Sequence, residues 1–414
     1  METYITEWLN LLLRFLHVIT GIAWIGASFY FIWLDNHLEK PPQWKADQGI
    51  KGDLWAIHGG GFYEVAKYQL APPQIPSTLH WFKWEAYSTW ITGFFLLTLM
   101  YYVGAEVYLI DKRVADLNQW QAISIGLTVI FGGWLCYDVL CNTKLAKHGA
   151  ILGIILLTLA TAIAYLLTHI FSARGAYIHM GAVIGTIMVG NVFRVIIPSQ
   201  KALVDAVKVG GRPDPKLATN AKLRSTHNTY TTLPLIFIMI SNHYPMTYNH
   251  SFNWAVLIAI IIITALGRQY FVLRHTGIHK PSILVGAGAA TVVLALAIIP
   301  SHLIYSQSTS AIEQTNIVEN QTAETDKSVD ITHVEEVIKN RCSSCHSHNP
   351  TDDVFQVAPA GVLLDNILVM QQWAPRIKAR AIDSEDMPLM NKTGMTKSER
   401  ELISRWIELG SPNS

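Results

Sequence analysis

Charged side chains are scarce in this chain. Asp, Glu, Lys and Arg make up 15% of its 414 residues, against about a quarter in soluble domains, and half of all residues are apolar. The few charges carry no surplus of either sign, since 31 basic residues face 30 acidic ones. Nucleic acid is therefore excluded as a partner, because neutralising phosphates needs a basic excess. Cysteine is also rare. Four residues are too few for a disulfide framework, and Cys136 and Cys141 sit in an apolar stretch where they read as packing residues. A dinucleotide fingerprint is missing too. The only glycine triplet, Gly59-Gly60-Gly61, does not fit G-x-G-x-x-G after a strand, which argues against NAD or flavin by that route.

What the chain has instead is long apolar runs. Eight stretches approach the length needed to cross a bilayer: Trp8–Leu34, Ser88–Val103, Trp120–Cys141, Gly149–Phe171, Ala176–Ile197, Tyr230–Tyr244, Phe252–Leu273 and Ser282–Tyr305. The sixth is short, with polar ends. The first is too long for a signal-peptide core and lacks a small-residue cleavage pattern, so it reads as a span. Small residues recur four apart, as in Gly149/Gly153 and Gly181/Gly185, a spacing that lets helix backbones approach closely. The odd-numbered loops carry fifteen Lys and Arg and the even-numbered ones three. The positive-inside rule puts the fifteen in the cytoplasm and both termini outside. The expected fold class is thus all-α, a polytopic membrane bundle of about eight spans over 1–305, followed by a smaller domain.

From Ser306 to Ser328 the composition shifts to Gln, Ser, Thr, Asn and Glu, which predicts a flexible linker. The domain over 329–414 contains Cys342-Ser343-Ser344-Cys345-His346. This C-x-x-C-H pattern signals covalent c-type haem: two thiols reach the porphyrin vinyl groups, and His346 supplies an imidazole to the iron. Met387, before Pro388 on a loop preceding the last helix, is the expected distal sulfur, with Met390 and Met395 as rivals. Met/His ligation raises the potential. The domain closes with Thr396 to Ile407, an amphipathic helix with a capping box of Thr396 and Glu399 and with Gly410 beyond its end. A class I-like cytochrome c domain is expected, and its outward placement matches where bacteria attach such haems.

Histidines mark the rest of the chemistry, because ionisable groups within spans are costly and usually functional. On this topology His17, His169, His179, His243 and His302 fall toward the outer face. Two of them on facing helices could hold a haem b, and His17, His179 and His243 are the best candidates. Arg14, one turn before His17, could meet a propionate. The first cytoplasmic loop is the second dense region. Gly59, Gly60 and Gly61 can present backbone N–H groups to an anion. His58, Lys67, His80, Lys83 and Glu85 are candidate acid–base groups. Trp81 can stack on a flat ring, or belong to an interfacial aromatic belt. His227 and Asn228 lead into a polar, Pro234-containing segment, which reads as lining a site or as a kinked packing helix.

Taken together, Arg14-x-x-His17 with Gly21 to Gly26, His58 to Tyr63, Leu79 to Tyr87, and His227-Asn228 with Leu233-Pro234 through Ser241 to Pro245 resemble the bacterial membrane-bound urate oxidase (urate hydroxylase) family, which carries a C-terminal cytochrome c. The resemblance implies oxidation of urate to 5-hydroxyisourate, with water supplying the oxygen and electrons leaving through haem to a soluble cytochrome c or a terminal oxidase. It also implies an inner-membrane location, with the cytochrome on the periplasmic side. In that setting the urate anion is expected against Gly59–Gly61 and Lys67 or Lys83, stacked on Trp81, with His58, His80 or Glu85 as base. The alternative reading is a quinol–cytochrome c electron-transfer subunit carrying haem b and haem c.

Overall fold

A computed structural model describes residues 2–69, 71–111, 114–299, 329–352, 355, 358–359, 362–383 and 385–412. The expected linker 306–328 and His302 lie outside the described residues. The chain is mostly helical and divides into two compact units. One comprises Leu9–His243 and Phe252–Val293. The other comprises Met1–Trp8, Tyr244–Ser251 and Leu294–Ser414.

The larger unit is built from helices α1 (Glu2–His37), α2 (Trp84–Leu97), α3 (Gln119–Cys141), α4 (Gly149–Thr168), α5 (Ala173–Asn191), α6 (Ile197–Lys208), α7 (Pro215–Ile240), α8 (Asn253–His275) and α9 (Pro281–Ala297), the first and last of which extend beyond it. Their starts follow from local chemistry. Asn118 and Gln121 form a capping box ahead of α3, Ser172 accepts the Gly175 N–H at the head of α5, and Asp214 caps α7 with Pro215 at its first position. α5 is the core of this unit. Tyr177, His179, Met180, Val183 and Ile184 along it are all buried.

Among the described residues, five helices are long and apolar enough to cross a membrane: Trp8–His37, Gln119–Cys141, Gly149–Thr168, Ala173–Lys208 and Asn253–His275. The three other expected stretches take different forms. Ser88–Val103 is the end of α2 continued through a π-helical turn, Thr98–Val103. The short, polar-ended stretch at Tyr230–Tyr244 is the second half of the 26-residue α7, which begins much earlier at Pro215. α9, 17 residues long, covers the first part of the last stretch.

Two features correct the sequence reading. The first is that the first loop is not irregular. It folds as a β-hairpin, β1 (Ile50–His58) against β2 (Gly61–Tyr68), with His58 opposite Gly61, so the all-α expectation misses a two-stranded sheet. Gly59 and Gly60 form its two-residue turn with φ of 58° and 81°, values that glycine adopts without steric cost and that a tight hairpin requires. The glycines are thus explained by chain reversal. The second concerns helix approach. Gly181 meets α7, where a Cβ would stand 2.8 Å from Ile238 Cγ2, but Gly149, Gly153 and Gly185 face open space. The tightest approach is instead at Gly190, where a Cβ would stand 2.2 Å from Trp134 Nε1.

In the smaller unit, α10 (Ile331–Arg341), α11 (Ile367–Ile377) and α12 (Lys397–Glu408) enclose a core of Val334, Val337, Ile338, Leu364, Met370, Ile377, Met395, Ile403 and Trp406. The capping box of α12 forms as expected, with Thr396 accepting the Glu399 N–H and Glu399 accepting the Thr396 N–H. Gly410 follows at φ 85°.

Candidate functional site

Three helices bring one buried polar chain together. Tyr137, Asp138 and Cys141 share the last turn of α3, Arg224, His227 and Asn228 lie at i, i+3 and i+4 on α7, and Asn191 ends α5 just before a second π-helical turn, Val192–Ile196. Such turns often mark functional sites. Arg224, with its side chain 3% exposed, donates Nη2 to Asp138 Oδ1 at 2.8 Å and Nη1 to Asn191 Oδ1 at 3.2 Å. A guanidinium only donates, so the Asn191 oxygen must face it. The Asn191 Nδ2 then points the other way, to the Tyr137 oxygen at 2.9 Å and to Asn228 Oδ1 at 2.8 Å. Asn228 passes its own Nδ2 to the Met188 carbonyl at 3.0 Å. The Tyr137 oxygen already accepts, so its O–H is left for His227 Nδ1, 2.8 Å away.

The direction of every bond in this chain is therefore set by one cation. It also fixes the tautomer of His227: in the neutral ring Nδ1 accepts and Nε2 carries the proton. Cys141 Sγ lies 3.9 Å from the same Nδ1. The arrangement is a buried, directed hydrogen-bond chain ending on an imidazole, which keeps its Nδ1 lone pair against the Tyr137 hydroxyl and presents an N–H at Nε2. His227 and Asn228 were expected from the sequence to line a site. Their partners Tyr137, Asp138, Asn191 and Arg224 were not. Asp138 did carry a signal, being an acid inside an apolar stretch, whereas Arg224 was counted only as a loop charge.

The other expected catalytic groups lie apart from this chain. His58 is exposed at the hairpin turn. Lys67, on β2, pairs with Asp35 at 2.6 Å with both side chains about half exposed. His80 is exposed in the segment before α2. Lys83 precedes the first turn of α2, 6.0 Å from the ring centre of Trp84, and Glu85 within that turn has a buried Oε2 with no hydrogen-bond partner. Trp81 packs with Trp24, Tyr87 and Trp90 against Ala86, Val189, Val192 and Ile197. The hairpin has its own buried cation. Lys45 bonds Asp53 and Glu64, and these two bonds hold its ammonium above the usual lysine range.

The three histidines expected at a haem b are not brought together. His17 is half-buried against α2, with Nδ1 3.0 Å from the Thr89 carbonyl and 3.2 Å from Thr92 Oγ1, while Arg14 bonds Asn10 one turn away. His179 is fully buried and donates Nδ1 to the Gly175 carbonyl at 2.9 Å, with Nε2 unpartnered. A Cβ at Gly126 of α3 would stand 2.8 Å from that Nε2 and 3.0 Å from the Tyr102 hydroxyl, also unpartnered among the described residues, so α3 packs directly against this imidazole. His17 touches Thr89 and Thr92 while His179 touches Tyr101 and Tyr102, some two to three turns farther along the same helical segment. His243 is exposed beyond the end of α7.

In the smaller unit, the turn after α10 presents Cys342 and Cys345 as free thiols. His346 places Nδ1 3.2 Å from the Val362 carbonyl, which orients the ring and leaves Nε2 to meet a ligand, as metal-binding imidazoles do. Burial pushes the Cys342 thiol up to about 12 and raises Cys345 as well. Burial likewise lowers His346, against the opposing pull of the Val362 bond, and so favours the neutral ring. Met387 is half-buried at the edge of the core, and its carbonyl accepts from Arg400 Nη1 at 2.8 Å. Met395 is 3% exposed and belongs to the core itself, so the rival expectation for it has a packing explanation.

A model of the urate oxidase N-terminal family matches residues 3–299. The chain belongs to this family. Membership ties the helical unit to urate chemistry and makes urate the plausible substrate. The match spans every residue of the Arg224 chain and ends before the C-x-x-C-H turn. No curated protein and no solved structure matches the chain.

Proposed function

We propose that this protein is a bacterial inner-membrane urate oxidase. In the reaction, urate and water give 5-hydroxyisourate, two protons and two electrons. The observation that carries the reading is the family match over 3–299, followed in the same chain by a C-x-x-C-H turn outside the matched region. A urate-related unit joined to a haem-attachment motif needs no dioxygen to dispose of electrons. Five helices of sufficient length and apolarity and the fifteen-to-three charge bias support a membrane location with the smaller unit on the periplasmic side.

Cys342 and Cys345 would hold haem c through thioether bonds, with His346 and Met387 as axial donors, a set that suits the oriented imidazole and the pinned methionine loop. When bound, this group supplies a one-electron acceptor whose partner is a soluble cytochrome c or a terminal oxidase. The chain's own residues handle the protons. The Tyr137 hydroxyl holds the lone pair of His227 Nδ1, so the neutral ring presents its proton at Nε2 and can donate it there, while Arg224 and Asp138 hold the geometry.

The test is spectroscopic. Urate added to the purified, oxidised full-length protein is expected to raise the reduced c-type band without added mediator, and a quinol is not. Reduction by quinol alone would replace this reading with that of an electron-transfer subunit.

A further inference from the structure

Arg268 on α8 is 4% exposed, yet among the described residues its Nε and Nη2 have no hydrogen-bond partner. A buried cation without a counter-charge is costly, and proteins retain one where something else supplies the charge. The guanidinium stacks over the Phe29 ring of α1 at 4.1 Å and lines a cavity of about 430 Å³ with Phe29, Tyr30, Trp33, Leu233, Phe271 and His275. That size lies within the range of small-molecule sites, and an apolar wall with few polar groups is their usual character. Trp33, Phe271 and His275 are shared with a second, wider cavity of about 780 Å³, so the two adjoin. The wider one adds Asn36, His37, Arg274 and His279.

The mouth has its own polarity. The His37 and His275 rings meet edge to face at 5.4 Å. His37 gives its Nδ1–H to the Trp33 carbonyl at 2.7 Å, so its neutral ring keeps a lone pair on Nε2. The site thus offers aromatic faces, a buried planar cation and an imidazole able to accept an N–H. A flat, delocalised anion with ring N–H groups satisfies all three, since guanidinium fits planar anions and aromatic faces fit flat rings. An acyl chain would leave Arg268 unpaired. Neither the hairpin glycines nor the lysines first expected at the substrate contribute here.

We propose that the paired cavities between α1 and α8 bind the purine anion, with Arg268 as its counter-charge and Trp33 as a stacking face. The identity of the ligand rests on the urate reading above, whereas the need for a planar anion does not.

Equilibrium dialysis of labelled urate against the purified full-length protein tests the assignment. Wild type is expected to bind saturably, one molecule per chain. Arg268→Met should weaken binding at least tenfold, and Arg268→Lys should restore only part of it. Trp33→Ala, at the rim and less exposed to the risk of misfolding, should weaken it several-fold, and its steady-state KM should rise more than its kcat falls. If urate is oxidised by wild type but Trp33→Ala and a folded Arg268 variant bind it as wild type does, the pocket assignment fails and the urate reading stands. The same holds if phosphatidylglycerol co-purifies with wild type, is lost from Arg268→Met, and urate binding is unchanged. Protein that neither binds nor oxidises urate, while a planar anion such as anthraquinone-2-sulfonate still binds in an Arg268-dependent way, would refute the urate identity and retain the pocket.

Discussion

Arg224 Nη2 lies 2.8 Å from Asp138 Oδ1, and this contact between α7 and α3 orients the hydrogen bonds that end at His227. Both partners are largely removed from solvent, with side chains 3% and 18% exposed. Arg224→Met should therefore destabilise the protein by about 3–5 kcal/mol, because it strands a buried carboxylate. The double change Arg224→Met with Asp138→Leu removes both charges and should recover much of that loss. Thermal unfolding in detergent reads the difference. Equal destabilisation by the single and double changes would contradict the pairing.

His227 and Tyr137 should separate chemistry from stability. A positioned acid–base group typically contributes about 10²–10⁴ in rate, so His227→Gln should lower urate turnover on that scale and leave the fold intact. Tyr137→Phe removes the donor to His227 Nδ1 and one acceptor of Asn191. Its stability cost should be about 1–3 kcal/mol, the penalty for buried groups left unpaired, with a smaller rate effect. Urate consumption and unfolding temperature, measured on the same preparations, check both.

What could be read from the sequence was local. The capping box at Thr396 and Glu399 needs only residues three apart, and it forms. The apolar runs at Trp120–Cys141 and Phe252–Leu273 become α3 and α8 nearly as bounded. The hairpin escaped because its strands do not alternate cleanly between apolar and polar residues, and three glycines in a row look like a ligand cradle as much as a turn. The Arg224 chain escaped for a different reason. Asp138 and Arg224 are 86 positions apart, and no periodicity in either helix says that they meet. Nothing in the sequence singles out Arg268; only the packing shows that, among the described residues, its Nε and Nη2 find no hydrogen-bond partner.

Met387 and Met395 of the smaller unit should behave oppositely. Met395 is part of the core with Ile403 and Trp406, so Met395→Ala should cost about 2–5 kcal/mol through the cavity left behind. Met387 lies at the edge of that core. If haem c is held as proposed, Met387→Ala should leave the unit folded, lower the haem potential and shift the visible spectrum, since losing a thioether axial ligand lowers the potential. Redox titration and protease resistance of the full-length protein distinguish the two. A changed potential in Met395→Ala with none in Met387→Ala would exchange their roles.

Acid should act on the smaller unit through Glu399. Burial alone would raise this carboxyl, but the Thr396 N–H and the Arg341 guanidinium, 3.0 Å away, outweigh it and hold the group below the usual range. A carboxyl depressed in the folded state binds protons more readily when unfolded, so the unfolded state gains as pH falls. The contribution of Glu399 is therefore complete above about pH 4.3, the ordinary glutamate value, and fades as pH drops through the lower folded-state value. Glu399→Gln keeps an acceptor for the cap but loses the charge. It should unfold more readily than wild type at neutral pH, and the gap should close in acid. Limited proteolysis of the full-length chain across pH 7 to 3 follows this, and a gap that persists unchanged at the acid end would mean that the charge on Glu399 contributes nothing to holding α10 and α12 together.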